Sequence, residues 1–302
     1  MSDAFFHSFG ILHTAMHFNA SWGKMLLGPL DRMKLLTQTQ SNTFGNSRNK
    51  FYSMREIIAT AKVVRKTQGF SSFWRGAFAG FAGGILGAYL TDTLTAFWST
   101  YLKRRHFKKL SFRERFFQLT IYITAESIGQ AVFYPLEYLS IRLASDIGKS
   151  FLERKYKGFL DCCRHSHKES GWMIFYTGFK QKLQFNIMFP TMALFMYESI
   201  YRNLFSRRTP YMVQLATAQV TFMLAYMASY PLLVIKNNLI VQAGSPTWWR
   251  LLWTDRSPSD CRRRLVKEAG MRALFAGLAM DVFCGLFVGQ FALFYGLHKR
   301  YY

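Results

Sequence analysis

The sequence is poor in cysteine and in acidic side chains. Only 4 of its 302 residues are cysteine, and two of them, Cys162 and Cys163, are adjacent. Adjacent cysteines rarely bridge each other, so a disulfide framework is excluded and reduced thiols are expected. Aspartate and glutamate number 16 against 39 lysines and arginines, a formal charge of +23. This balance is typical of a nucleic-acid binder or a basic membrane protein.

The residue patterns of enzymes and metal sites are also missing. The sequence contains no recognisable catalytic set of a nucleophile, a general base and a residue that orients the base. It also contains no glycine-rich phosphate loop. We therefore expect neither catalysis nor a cofactor. The run from Cys162 to His167 superficially resembles a metal motif, but it lacks the second ligand pair of a closed tetrahedral site. No short, positively charged signal segment precedes the first apolar stretch, so a secretory route is not indicated.

Long apolar stretches, in contrast, are abundant. Thr209 to Ile235 contains 27 residues and no charge, more than the roughly 20 that a helix needs to cross a membrane. Similar stretches, with at most one acid each, are 4–23, 78–101, 116–136, 183–197 and 282–297. Six spans are therefore predicted. A surface that follows nucleic-acid phosphates would not need them, so a nucleic-acid partner is not expected.

Three prolines reveal an internal repeat. A similar polar segment follows each of them, at Pro29–Lys34, Pro135–Arg142 and Pro231–Lys236. Two sets of glycines recur with nearly the same period: Gly69, Gly171 and Gly270, and then Gly76, Gly178 and Gly277. A unit that cannot bury its own surface must stack on its copies. The chain is therefore predicted to consist of three related units, at about 1–106, 107–206 and 207–302.

Each unit has the order span, polar linker, span. In the first linker, Met54–Thr67 has apolar residues at helical spacing with basic residues between them, a pattern typical of a helix on a membrane surface. Leu160–Lys168 and Cys261–Glu268 are weaker counterparts. The glycine that follows is expected to end each helix with a left-handed turn. The proline is expected to kink the first span of each unit.

Just past each proline, acidic and basic positions lie three residues apart, which places them on one face of a helix. In a threefold arrangement, the acid of one unit can reach the base of the next. Such ion pairs are costly to desolvate and easily exchanged for water, which suits a gate on one side of a membrane.

The repeated pattern P-x-[DE]-x-x-[KR], with the glycines that follow it, resembles the mitochondrial carrier family over essentially the whole chain. Segments 68–76 and 134–149 are most similar to the ADP/ATP carriers of that family. The resemblance implies a single domain, 1–302, that is an all-α, multi-pass protein of the mitochondrial inner membrane. Its fold has six tilted transmembrane helices in three pseudo-threefold repeats, each with a short matrix-side amphipathic helix. Such a fold alternates access between the two sides of the membrane.

The resemblance also implies a matrix gate, formed by Asp31, Lys34, Gln38, Glu137 and Lys236. Ser140 stands where a base is expected opposite Asp31, and Leu233 stands where an acid is expected opposite the base of the first repeat. Only Glu137 with Lys236 remains complete. Gln38 matches the glutamine that braces such a pair in the family.

A second gate is implied on the opposite side of the membrane. This cytoplasmic gate consists of Tyr197, Glu198, Tyr295 and Lys299. Again one ion pair can form, between Glu198 and Lys299, where the family has three. Both predicted gates are therefore reduced.

The central cavity departs further from the ADP/ATP carriers. Lys24 matches a lysine that contacts substrate in them, but the two accompanying arginines fall on Gly83 and Cys284. Phe185 and Asn186 replace a Gly-Ile contact pair. An adenine nucleotide brings several negative charges, and only a concentrated positive field offsets its lost hydration. Asp281, one turn from Cys284, is expected to weaken that field further.

Other motifs point to lipid. The residues that resemble the cardiolipin-binding elements of the family are Trp74, Arg75, Gly76, Tyr156, Gly158 and Gly178. In those elements the free amides of a helix N-terminus bind a phosphate. Membrane lipids, with cardiolipin among them, are therefore expected partners.

The joint loss of gate and substrate residues, with the spans, prolines and glycines retained, favours a degenerate carrier. We expect an accessory or structural subunit of a larger inner-membrane complex. The alternative is an active antiporter of adenine nucleotides or of a smaller, less anionic metabolite. Lys24 and the one remaining pair at each gate favour that alternative.

Overall fold

The structure, a computed structural model, describes residues 24–39, 54–102, 112–147, 154–204, 211–243 and 257–284. In these ranges the chain forms α-helices and short 3-10 turns, and no strand is present. The prediction of an all-α fold is confirmed for the described part of the chain.

The first repeat begins with a broken span. Its elements are α1 (Lys24–Leu26), α2 (Gly28–Gln38), the amphipathic α3 (Met54–Gln68) and the second span α4 (Ala77–Leu102). Pro29 is the second residue of α2, where its missing amide proton is not needed by the helix. The first span of this repeat is therefore interrupted at Leu27, before the proline.

The second and third repeats have long first spans. Their elements are α5 (Phe112–Ser145), α6 (Phe159–Ser170), α7 (Phe179–Leu204), α8 (Tyr211–Ala243) and α9 (Pro258–Ala269), followed by α10, helical at 278–284. Pro135 lies inside α5 and Pro231 inside α8. Both helices continue through their proline, unlike the first span of the first repeat.

The three amphipathic helices end as predicted. Gly69, Gly171 and Gly270 follow α3, α6 and α9 with φ of 81°, 69° and 73°, in the left-handed region that disfavours residues with a Cβ. A five-residue 3-10 turn comes next in each repeat, at Phe70–Trp74, Trp172–Tyr176 and Met271–Phe275. The expectation that a glycine ends each helix is confirmed.

The first spans of the three repeats meet pairwise. Helix α2 packs on α5, α5 packs on α8, and α8 packs on α2. The second spans join successive repeats, because α4 packs along α5 and α7 packs along α8. Each boundary between repeats thus lies between the second span of one repeat and the first span of the next.

At each boundary the first span crosses the start of the neighbouring second span over a glycine. A Cβ at Gly178 would lie 3.0 Å from Cγ of Lys236, and one at Gly277 would lie 2.9 Å from Cγ of Lys34. A Cβ at Gly76 would overlap the carbonyl oxygen of Ser140. We call Gly76, Gly178 and Gly277 the crossing glycines. At these glycines, the position five residues after the proline of each first span (Lys34, Ser140 or Lys236) contacts the start of the neighbouring second span.

Each amphipathic helix packs one face against the first span of its own repeat. Val64 in α3, Cys162 in α6 and Cys261 in α9 are each fully buried, and each belongs to an apolar cluster with residues of the neighbouring first span. These contacts fix the short helices against the end of the bundle that carries the residues of the predicted matrix gate.

The predicted number of membrane spans is tested only in part. Among the described residues, one helix, Ala216–Ala243, is both long and apolar enough to cross a membrane. Helices α4 and α7 have 26 residues each, about 39 Å at 1.5 Å per residue, which is sufficient length. The count of six tilted spans stays a prediction.

Two glycine substitutions separate backbone strain from close packing. Gly69→Ala meets open space but a φ of 81° with ψ of 171°, a conformation nearly exclusive to glycine, and should cost about 1–3 kcal/mol of unfolding free energy. Gly76→Ala has a similar φ of 84° and also collides with backbone of α5, so its cost should be clearly larger. The thermal midpoint in detergent, followed with a thiol-reactive dye, measures both. Equal midpoints for the two variants would contradict the crossing at Gly76.

Candidate gate and central cavity

The boundary between the second and third repeats contains an ion pair between two residues of the predicted matrix gate. Nζ of Lys236 in α8 lies 2.5 Å from Oε1 of Glu137 in α5. Lys236 is 4% exposed, because its stem passes over the crossing glycine Gly178. The structure therefore brings these two predicted gate residues together across neighbouring repeats.

The boundary between the third and first repeats also contains an ion pair, with a different acid from the one expected. Nζ of Lys34 lies 2.9 Å from Oδ1 of Asp281 in α10 and 3.2 Å from Oδ1 of Asp31 in α2. The Tyr226 hydroxyl donates to the other oxygen of Asp281, at 3.0 Å. Sequence analysis had left Lys34 without an acid from a neighbouring repeat. The structure corrects that point, because Asp281 of the third repeat supplies the acid. The expectation that the charge of Asp281 weakens the positive field of the cavity stays a prediction.

Gln38 braces the same boundary through neutral groups. Its Nε2 donates to the Tyr230 hydroxyl at 2.7 Å, and its Oε1 accepts from Nδ2 of Asn237 at 2.5 Å. The Tyr230 hydroxyl in turn donates to the carbonyl of Ala276 at 2.9 Å. Because that carbonyl can only accept, the direction of the whole chain of hydrogen bonds is fixed. Gln38 thus links α2 to α8, and Tyr230 links α8 to the turn before α10.

The boundary between the first and second repeats is built differently. Asp31 pairs with Lys34 on its own helix, and Ser140 donates to the carbonyl of Gly76 at 2.8 Å. A cavity of about 140 Å³ lies here, lined mostly by residues of these two repeats, including Asp31 and Ser140, and also by Lys236 and Asn237 of the third repeat. The base that the family pattern places at position 140 is replaced by a short side chain bonded to backbone.

Two arginines hold this boundary instead. Arg32 is 2% exposed, and its guanidinium donates to the carbonyl of Ala144 at 3.0 Å, to Oε1 of Gln68 at 2.9 Å and to the carbonyl of Ser72. Arg75 pairs with Asp146 at 2.5 Å. A buried guanidinium requires such saturation, because an unmatched buried charge is costly.

Sequence analysis missed Arg32 and Asp146. Arg32 lies three residues after its proline, where the other repeats have Tyr138 and Val234, both buried. The sequence did contain a signal for Arg32, because it is a cation at a position that is apolar or aromatic in the other repeats. Its partners could not be found from spacing, since Ala144 is 112 residues away.

The predicted lipid-binding residues are engaged with protein groups. Trp74 donates its indole N–H to the carbonyl of Met25 at 2.7 Å, and the hydroxyl of Tyr156 accepts from Arg142 at 2.6 Å. Gly158 is the N-cap of α6 and offers no side-chain cap there. Gly76 and Gly178 are crossing glycines. A role in binding cardiolipin stays a prediction.

The run from Cys162 to His167 lies along α6, where its side chains diverge. Cys162 is buried, and burial raises the pKa of its thiol to about 11. Metals bind the thiolate, which this thiol forms only at high pH. The ring of His167 packs edge-on against Trp172, with centroids 4.9 Å apart. Cys162 and His167 therefore make packing contacts and do not converge on one point where a metal ion could bind.

The predicted cytoplasmic gate is only partly described. Tyr197 and Glu198 lie in α7 and are buried, with exposures of 0% and 4%. Tyr295 and Lys299 lie outside the described residues. The ion pair between Glu198 and Lys299 therefore stays a prediction.

The positions aligned with nucleotide contacts are occupied by packing residues. Gly83 faces α5, where a Cβ would lie 3.0 Å from Cβ of Leu136. Phe185 stacks on Phe189 with centroids 5.5 Å apart, and the thiol of Cys284 is buried. The backbone of Lys24 lies in α1, and its side chain is outside the described part.

Asn186 belongs to a polar chain that ends on an acid. Its Nδ2 donates to Oε1 of Gln130 at 2.7 Å, and Nε2 of Gln130 donates to Oε1 of Glu126 at 2.9 Å. The chain links α7 to α5 inside the second repeat. Asn186, which lies at a position aligned with a nucleotide contact, is thus hydrogen-bonded through Gln130 to the carboxylate of Glu126.

Comparison with known sequences agrees with the threefold geometry. The profile of the family described as mitochondrial carrier protein matches three times, at residues 18–105, 118–208 and 207–302. The chain belongs to the mitochondrial carrier family. The resemblance drawn from the repeated motif is confirmed, and the three matches fall on the three structural repeats.

Relatives within the mitochondrial carrier family are ADP/ATP translocases. The chain is 26% identical to ADP/ATP translocase 2 of Rattus norvegicus over 288 residues, which cover 93% of this chain and 94% of the relative. It is 27% identical to the ADP,ATP carrier protein of Parachlorella kessleri over 270 residues, 87% of this chain and 76% of that protein. ADP/ATP translocase 4 of Homo sapiens is 25% identical over 272 residues, 88% of this chain and 83% of the relative.

Removing one partner of the buried gate pair should be costly. Glu137→Gln leaves the ammonium of Lys236 without its carboxylate, and the loss should be about 3 kcal/mol of unfolding free energy. Lys236→Met added to Glu137→Gln should recover part of it, because no uncompensated charge then remains buried. Thermal midpoints in detergent measure all three variants.

Lys155→Met provides the control for that comparison. Lys155 pairs with Glu169 in a more exposed setting, with 31% of its side chain accessible, so its removal should cost less than about 1 kcal/mol. If Glu137→Gln is no worse than Lys155→Met, the matrix pair does not close the boundary.

Proposed function

We propose that the protein is a multi-pass carrier-fold protein of the mitochondrial inner membrane that has lost adenine-nucleotide exchange. In this proposal it serves as an accessory or structural subunit of a larger membrane complex. The observation that carries the proposal is the use of the nucleotide-contact positions for packing and for polar bonds within the protein.

The charges around the cavity support the loss of nucleotide binding. ADP and ATP need a cluster of cations to replace their hydration. Asn186 is bonded through Gln130 to the carboxylate of Glu126. Lys34 is already paired with two carboxylates. Lys24 is the one cation carried over from the substrate contacts of the ADP/ATP carriers, and a single ammonium is a weak substitute for the cluster.

The contacts that join the repeats support a structural role. Arg32 and Arg75 saturate carbonyl groups and a carboxylate across the boundary between the first and second repeats. Across the boundary between the third and first repeats, Oε1 of Gln38 accepts from Nδ2 of Asn237 at 2.5 Å. These bonds require no solute. They would hold a bundle that presents its outer surface to lipid and to neighbouring subunits.

A second candidate function is the exchange of a smaller, less anionic metabolite. It is favoured by the two ion pairs of the matrix gate, Glu137 with Lys236 and Lys34 with Asp281. Two paired charges can separate and be hydrated by water, whereas separating two apolar surfaces exposes them to water unfavourably. A gate closed by ion pairs can therefore open.

Exchange in reconstituted vesicles tests the loss of nucleotide transport. We expect vesicles that contain this protein and are preloaded with ADP to take up labelled ADP no faster than protein-free vesicles. ADP/ATP translocase 2 of Rattus norvegicus, reconstituted in parallel, controls for vesicle quality. Stoichiometric ADP exchange that is lost in Lys24→Ala would overturn the proposal. Saturable counter-exchange of a small solute without ADP exchange would favour the second candidate.

Extraction from the native membrane in mild detergent tests the accessory role. We expect the protein to migrate with a larger assembly on a native gel and to be recovered with fixed stoichiometry. A monodisperse monomer, extracted under conditions that keep other membrane complexes intact, would count against the accessory role.

A further inference from the structure

Asp281 differs from its counterparts in the other repeats. Four residues after the crossing glycines, one turn into each second span, the chain has Gly80, Lys182 and Asp281. Only the third repeat has an acid there. The third repeat is also the one whose first span lacks an acid, because Leu233 occupies the position that corresponds to Glu137.

The carboxylate of Asp281 is held at both oxygens. Oδ1 lies 2.9 Å from Nζ of Lys34 in the first repeat, and Oδ2 accepts from the Tyr226 hydroxyl of α8 at 3.0 Å. The side chain of Asp281 is 13% exposed. Leu233, in contrast, packs against two apolar clusters. The acid and the apolar residue have thus exchanged the roles that the repeat pattern gives them.

We propose that Asp281 is the gate acid of the third repeat, moved from the first span to the second. The stem of Lys34 crosses Gly277, and Asp281 lies one turn further along the same helix, about 6 Å away along its axis. A carboxylate there meets the ammonium that an acid at position 233 would otherwise meet. The ion pair therefore joins the first and last spans of the chain and closes the boundary between the third and first repeats.

Tyr226 provides Asp281 with a second hydrogen-bond partner besides Lys34. When Lys34 moves away, the hydroxyl of Tyr226 still donates to the carboxylate, so that Asp281 keeps one hydrogen bond. The inference concerns how the repeats are joined, and it does not depend on whether any solute is transported.

Moving the acid back to its repeat position tests the proposal. Asp281→Asn should lower the thermal midpoint of the full chain in detergent by about 5 °C or more, because Lys34 loses a partly buried partner. The double variant Leu233→Glu with Asp281→Asn should recover at least half of that loss. Glu at 233 would approach Lys34 as Glu137 approaches Lys236. Asp92→Asn, an acid-to-amide change on an exposed side chain of α4, should shift the midpoint by no more than about 2 °C.

A double-mutant cycle distinguishes pairing with Lys34 from simple packing. Lys34→Met and Asp281→Asn should be strongly non-additive, the second change adding little to the first. Additive losses, or a midpoint for Asp281→Asn equal to that of Asp92→Asn, would overturn the proposal. It would also fail if neither Asp281→Asn nor the Leu233→Glu double variant folded while Asp92→Asn did.

Discussion

The bundle depends on the crossing of each first span over a glycine at the start of the neighbouring second span. Gly76, Gly178 and Gly277 adopt positive φ and leave no room for a Cβ. The crossing places the base position of one repeat, such as Lys236 over Gly178, beside the next helix. The ion pairs, the glutamine brace and the buried arginine all lie next to these crossings, so the closeness of the backbones decides which side chains can meet.

The three crossings are equivalent in backbone but not in chemistry. One boundary is closed by Glu137 and Lys236 as the repeat pattern predicts, and another by Lys34 with an acid from a different helix. The remaining boundary has lost its base and is held by Arg32, which bonds mostly to carbonyl groups. Ion pairs can exchange with water, whereas a saturated guanidinium among backbone carbonyls is costly to extract. The boundary between the first and second repeats is therefore joined outside the gate positions, by Arg32 and by the ion pair of Arg75 with Asp146.

The same asymmetry bears on function. A carrier that alternates access needs boundaries that open together and a centre that replaces the hydration of its solute. Here Phe185 is part of an aromatic cluster and Asn186 is tied to the second repeat. Contacts between the repeats persist, in part through different residues, while packing residues occupy the positions aligned with nucleotide contacts, which is the pattern that the proposed structural role predicts.

The sequence alone determined the three repeats and the amphipathic helices with their terminal glycines, because these follow from local periodicity and from symmetry between copies. The pairing of Glu137 with Lys236 was implied by the resemblance to the mitochondrial carrier family, whose threefold packing it requires. The structure alone decided that Asp281 reaches Lys34, 247 residues away, and that Arg32 is buried among carbonyl groups of the first and second repeats. No spacing rule predicts either contact, because both break the symmetry of the repeat. Only the packed bundle shows which groups the crossings bring within hydrogen-bond distance.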